Sequence, residues 1–171
     1  NEGIKRTQFL HRIQGEIAKR GVVDVLRKGV SHANGGGTVH VDLYKLLPTP
    51  GNASAFENFG KNIFSVTRQL RYSNDELQRS LDMVIFINGL PVLTFELKNS
   101  LTKQTLADAI VQYQTTRSPQ ELLFQLGRCV AHIAVDDVEA AFCTELKGKA
   151  SWFLPFNQGW NSGAGNPPNP D

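Results

Sequence analysis

Apolar positions recur along this chain with two different periods, and the change from one to the other marks out its elements. Over residues 7–20, Phe9, Leu10, Ile13 and Ile17 fall at helical spacing, which predicts an amphipathic helix stopped by Gly21. Residues 22–26 are rich in valine, have lower helix propensity, and are expected to lead into a turn. Residues 32–37 form a Gly-rich loop, followed by a period-two strand pattern over residues 39–44. The Pro- and Gly-bearing stretch 48–52 breaks the chain, and residues 62–72 carry a second strand pattern. Then come two nearly continuous apolar runs, 81–87 and 92–98, separated by the hairpin signal Asn88-Gly89. Runs of this kind suit central strands buried on both faces.

After the hairpin, Ser100 or Thr102 is placed to cap a helix through Leu106, Ala109, Ile110 and Tyr113. Residues 119–126 predict a short second helix with proline in its first turn. Residues 130–135 and 140–146 predict a strand pair joined at Asp136-Asp137. The stretch 157–171, rich in Gly, Pro, Ser and Asn, reads as a linker or irregular arm beyond a domain spanning 1–156. Helix, strands, helix and further strands together predict an α/β fold with a mixed β-sheet flanked by helices.

Composition changes this picture little. At 171 residues, 40 % of them hydrophobic, the chain is long and apolar enough to bury one core. Apolar runs are too short for a membrane helix, and no signal-peptide pattern opens the chain. It begins at Asn1, which suggests processing or excision from something longer. Cys129 and Cys143 are expected as buried free thiols, with a disulfide as the alternative. Histidine spacing excludes a zinc site of the usual kind, and no phosphate-binding glycine motif is present. Net charge is +2, yet residues 1–30 hold seven basic groups against three acidic ones. That patch fits either a phosphate backbone or a solvated helix face.

Chemistry enters with three charged residues set in the apolar strands: Asp82, Glu96 and Lys98. A charge placed in a core needs a partner, a metal or a strand end. Glu96 and Lys98, two apart, project to one strand face. If the hairpin loop is the three residues Asn88-Gly89-Leu90, Asp82 falls directly opposite Glu96, with Cβ atoms about 5 Å apart. Two carboxylates so placed hold one hard cation; the alternative is a salt bridge between Lys98 and one of them. That alternative leaves one positive charge against two negative, an imbalance that a divalent ion removes.

The pattern of Asp82, thirteen intervening residues and Glu96-Leu97-Lys98 resembles the signature of the PD-(D/E)xK nucleases, although Leu81 stands where that signature has proline. Its context is more specific. Val66-Thr67-Arg68-Gln69-Leu70-Arg71-Tyr72-Ser73, Phe86-Ile87-Asn88-Gly89-Leu90-Pro91, Phe95-Glu96-Leu97-Lys98-Asn99 and Phe153-Leu154-Pro155-Phe156-Asn157 together resemble the N-terminal nuclease region of the restriction (R) subunit of type I restriction-modification enzymes. The likeness runs from Phe9 to Pro168.

The resemblance implies a PD-(D/E)xK restriction-endonuclease-like core and a Mg2+-dependent endonuclease acting on double-stranded DNA. It implies Asp82 and Glu96 as metal ligands, with the Leu97 carbonyl as a third oxygen, and Lys98 as the basic catalytic group. Gln112 matches the glutamine of the family's QxxxY motif, but Thr116 stands in place of its tyrosine, leaving Tyr72 or Tyr113 as substitutes. It further implies ATP use only by absent motor domains, partnership with modification and specificity subunits, and a bacterial or archaeal cytoplasm. Arg68 and Arg71 are candidate phosphate contacts, and Glu16 is a candidate accessory carboxylate. His132 reads as a core histidine and Asp136-Asp137 as a turn. Two other functions stay open: a non-catalytic docking or DNA-binding module of the same complex, and a repair or resolvase nuclease of the same superfamily.

Overall fold

A computed structural model of the chain describes residues 2–33, 35–73 and 79–156; the expected arm at 157–171 lies outside the described residues. The first helix, α1 (Glu2–Lys28), is longer than its apolar spacing predicts. Gly21 does interrupt it, with φ 81° and ψ 158°, but the chain resumes helical turns beyond the kink. The Val22 N–H freed there donates to the Gly127 carbonyl at 2.7 Å. Val22, Val25 and Leu26 are buried on the sheet side, and their packing outweighs the weak helix propensity that suggested a turn.

A small antiparallel pair follows, β1 (Val30–Ala33) and β2 (Thr38–Val41), the latter shorter than its sequence pattern. Between them and the main sheet lies a helix the periodicity did not reveal, α2 (Ala53–Phe59). It has no buried residue, and its signal is the cap, Asn52, whose side chain accepts from the Ala55 N–H.

The main sheet has six strands in chain order: β3 (Phe64–Arg71), β4 (Ser80–Ile87), β5 (Leu90–Leu97), β6 (Ala131–Val135), β7 (Ala140–Cys143) and β8 (Leu154–Pro155). All neighbours run antiparallel except β5 and β6, which are parallel. A parallel pair needs a crossover, and α3 (Leu106–Thr116) supplies it. Its cap is Thr105, in a capping box with Asp108, and not Ser100 or Thr102, which belong to a 3-10 turn before it. The short helix expected at 119–126 reduces to a 3-10 turn, Leu122–Phe124.

Alternation along β4 and β5 sends Ile85 and Leu93 to one face, against Ile13, Ile17 and Val25 of α1. Val84 and Thr94 face the other side, where Tyr113 of α3, Phe124 and Leu146 close a second core. α1 and α3 therefore cover opposite faces of the central hairpin. Cys129 and Cys143 are free and buried, and burial pushes the Cys129 thiol up to about 12. No helix among the described residues is long and apolar enough to cross a membrane.

Candidate active site

The hairpin reaches the expected register by a different route. Asn88 (φ 49°) and Gly89 (φ 82°) form a two-residue turn with Ile87 paired to Leu90, not the three-residue loop supposed above. Phe86 pairs with Pro91, but Ile85 pairs with Leu93, so Val92 is an extra residue on β5. Its carbonyl is taken by the Val130 N–H at 2.8 Å. Past this bulge Met83 faces Phe95, and the same register carried one step further sets Asp82 opposite Glu96.

A second irregularity faces Asp82 from the other side. On β3, Gln69 drops out of the ladder between the pairs Arg68–Met83 and Leu70–Leu81 and adopts φ 51°. A left-handed conformation at a non-glycine residue costs about 1–2 kcal/mol. Its amide donates to Asp82 Oδ1 at 3.1 Å and its own oxygen accepts from the Ser80 hydroxyl at 2.9 Å. The Leu97 N–H donates to Asp82 Oδ2 at 2.8 Å. Asp82 is thus held by two donors at the rim of an open groove of about 720 Å³, lined also by Val66, Thr67, Arg68, Gln69 and Leu97.

Glu96 lies on the α3 side of β5 and is fully buried. Its Oε1 accepts from Arg117 Nε at 2.6 Å, while among the described residues its buried Oε2 has no hydrogen-bond donor. Burial raises the Glu96 carboxyl to about 7; Arg117 opposes the rise, and the neighbouring Asp82 adds to it. Burial lowers the Arg117 pKa, but pairing with Glu96 outweighs it and keeps the guanidinium above its ordinary range. Lys98, on the same face as Glu96, donates from Nζ to Gln112 Oε1 on α3 at 2.5 Å.

Asp82, Glu96, Lys98 and Gln112 are therefore brought together. Arg68 lines the groove beside Asp82, whereas Arg71 is exposed further along β3, outside that lining. Glu16 is elsewhere: on α1, against the opposite face, it pairs with Arg20 at 2.6 Å and Arg12 at 3.1 Å. Among the described residues no three Asp, Glu, His or Cys side chains gather as a metal-binding group. The Thr116 hydroxyl donates to the Gln112 carbonyl within the helix at 2.7 Å. Tyr113 is buried, bonded to Thr94 at 2.8 Å. His132 is the core histidine its setting suggested, bonded to Thr94 and lowered to about 4 by burial. Asp136 is a turn residue, accepting from Leu106, Val138 and Glu139 N–H groups.

The residues 5–151 match the family described as type I restriction enzyme R protein N terminus. The chain belongs to this family. Among curated relatives, a Methanocaldococcus jannaschii protein provisionally named as the type I restriction enzyme MjaIXP endonuclease subunit is 33 % identical over 91 residues, 51 % of this chain and 8 % of its own length. The type I restriction enzyme HindI endonuclease subunit of Haemophilus influenzae is 38 % identical over 103 residues, 59 % of this chain and 10 % of its own. The chain thus matches about a tenth of the length of these relatives or less. No solved structure gives a significant match.

For this family member, sequence reasoning missed Arg117, which donates to the hydroxyl of Tyr72, named above only as a substitute for the motif tyrosine. Arg117 follows the last residue of α3, four positions after the buried Tyr113, but a basic residue at a helix C-terminus also suits the helix dipole at the surface. Its presence changes the charge count. Arg117 and Lys98 balance Asp82 and Glu96, so the imbalance argued above does not survive. What points to a cation is Glu96 Oε2, a buried carboxylate oxygen that no donor among the described residues reaches, next to a second carboxylate. Oxygen donors of this kind suit a hard divalent ion.

Proposed function

We propose that this chain is a Mg2+-dependent endonuclease domain of a type I restriction R subunit, hydrolysing phosphodiester bonds in double-stranded DNA. The observation that carries the reading is Oε2 of Glu96, left without a donor among the described residues beside Asp82, on the strand face that also bears Lys98. Asp82 and Glu96 would hold Mg2+, with the Leu97 carbonyl as a further oxygen. Bound there, the ion supplies Lewis acidity toward a phosphate oxygen and an acidified water.

The remaining chemistry belongs to the protein. Lys98 carries positive charge to the reacting phosphate and orients the attacking water. Gln112 holds its ammonium in place from α3. Gln69 and the Leu97 amide fix the Asp82 carboxylate, so the ligand is set before substrate arrives. Arg68, at the edge of the same groove, is positioned to meet a DNA phosphate. ATP-driven translocation, the modification and specificity subunits, and a cytoplasmic setting belong to the larger enzyme in this reading.

The test is made in the full-length subunit assembled with its partners. Asp82→Ala, Glu96→Ala and Lys98→Ala each abolish DNA cleavage and leave ATP hydrolysis intact. Cleavage that survives all three would sink the nuclease assignment. One observation favours the docking-module reading: Glu96 and Lys98 already have partners in Arg117 and Gln112. That reading requires full cleavage in all three variants.

A further inference from the structure

We propose that Arg117 is a positioning residue for the candidate metal centre, holding Oε1 of Glu96 so that Oε2 is the oxygen left for a divalent cation beside Asp82. This rests on the metal-binding reading above and deepens it.

The guanidinium donates to three partners far apart in the chain. Arg117 sits just past the end of α3, and its Nε donates to Glu96 of β5 at 2.6 Å. Nη1 donates to the Tyr72 hydroxyl, beyond β3, at 3.1 Å, and Nη2 to the Ser80 carbonyl, at the start of β4, at 2.8 Å. The Tyr72 ring lies 5.5 Å from the guanidinium carbon. Only 5 % of Arg117 is exposed. The planar fork is therefore fixed independently of Glu96, and the carboxylate docks onto a preset donor.

A positive charge beside a cation site repels the cation. Arg117 is thus electrostatically unfavourable for metal binding, and a benefit to binding must come from geometry. A side chain with several rotamers loses entropy when a ligand orders it, and a carboxylate already pinned through one oxygen has lost that freedom beforehand. Residues that orient metal ligands typically contribute about 10–100-fold to metal affinity. The two effects have opposite signs, so their balance is measurable.

The experiment is Mn2+ titration of the purified protein by calorimetry at pH 8, for wild type, Arg117→Met, Arg117→Lys and Asp82→Asn. Circular dichroism checks that each variant is folded. Arg117→Met is expected to bind Mn2+ about 10–100-fold more weakly. Arg117→Lys, which keeps the charge but not the three-way fork, is expected to fall between Met and wild type. If Arg117→Met does not fold, the lysine variant decides the matter by the same criterion. Binding as tight as wild type, or tighter, in a folded Arg117 variant overturns the positioning role and leaves the metal site standing. Wild-type protein that binds no Mn2+, or binds it no better than Asp82→Asn, overturns the metal reading and this inference with it.

Discussion

Folding shifts the pKa values of two buried groups on the α3 side of the sheet in opposite directions, and separating them makes a demanding test of the site's electrostatics. Glu96 moves from an ordinary 4.5 to about 7 on folding, chiefly through burial. The native state holds that proton more tightly than the unfolded chain, so stability is gained as pH falls from 7 toward 4.5. His132 moves from 6.5 to about 4, again through burial. The native state refuses that proton, so stability is lost as pH falls through the same range. Between pH 7 and 5 each group contributes about 2 kcal/mol, with opposite sign. Carboxylates held low by ion pairs or backbone donors, such as Glu16, Asp24 and Asp136, act mainly below this window. The wild-type protein is thus expected to be nearly flat from pH 7 to 5. Glu96→Gln keeps the shape and deletes one titration, so His132 acts alone and about 2 kcal/mol is lost over that interval. His132→Gln does the reverse and gains about 2 kcal/mol. The assay is urea unfolding followed by circular dichroism at half-unit pH steps, with chelator present to exclude metal. Only the slopes are compared, because Glu96→Gln also leaves Arg117 without its charge partner. Parallel slopes in wild type and Glu96→Gln would refute the reasoning.

Three further outcomes are expected. Mn2+ affinity should fall about tenfold between pH 8 and 6, because the cation competes with the proton on Glu96; calorimetry showing a flat profile would contradict this. Gln112→Ala should lower cleavage on the order of 10²-fold by freeing Lys98, whereas Thr116→Ala should be near wild type, its hydroxyl being used within the helix. Plasmid cleavage assays on the assembled enzyme decide both. Gly29→Ala should destabilise the fold by more than about 2 kcal/mol in urea melts, because its Cβ would stand 2.4 Å from the Val41 carbonyl oxygen at a backbone φ of +64°; a neutral effect would mean that the β1–β2 pair is readily displaced.

Much of the candidate site was legible in the chain because local chemistry carries it. Asp82, Glu96 and Lys98 stand out as charges in apolar strands, and a two-residue spacing alone puts Glu96 and Lys98 on one face. Asn88-Gly89 announces the turn, and the helical spacing after it places Gln112 on the crossover helix. The buried valines past Gly21 were misread because their helical state depends on the sheet they pack against, not on their propensity. Only the folded molecule decided the rest. The pairing of Asp82 with Glu96 depends on a bulge at Val92, and a bulge follows from how the carbonyl of one strand meets the next, here Val130 across the parallel pair. Arg117 stands 21 residues from Glu96 and Tyr72 lies 45 from Arg117; their meeting is a consequence of α3 crossing the sheet, which no spacing along the chain encodes. The sequence determined the two carboxylates and the lysine of the site, because cost of burial acts on each residue singly. Tertiary structure determined which oxygen of Glu96 is bound and which is left open, because that is settled by distances between elements far apart in the chain.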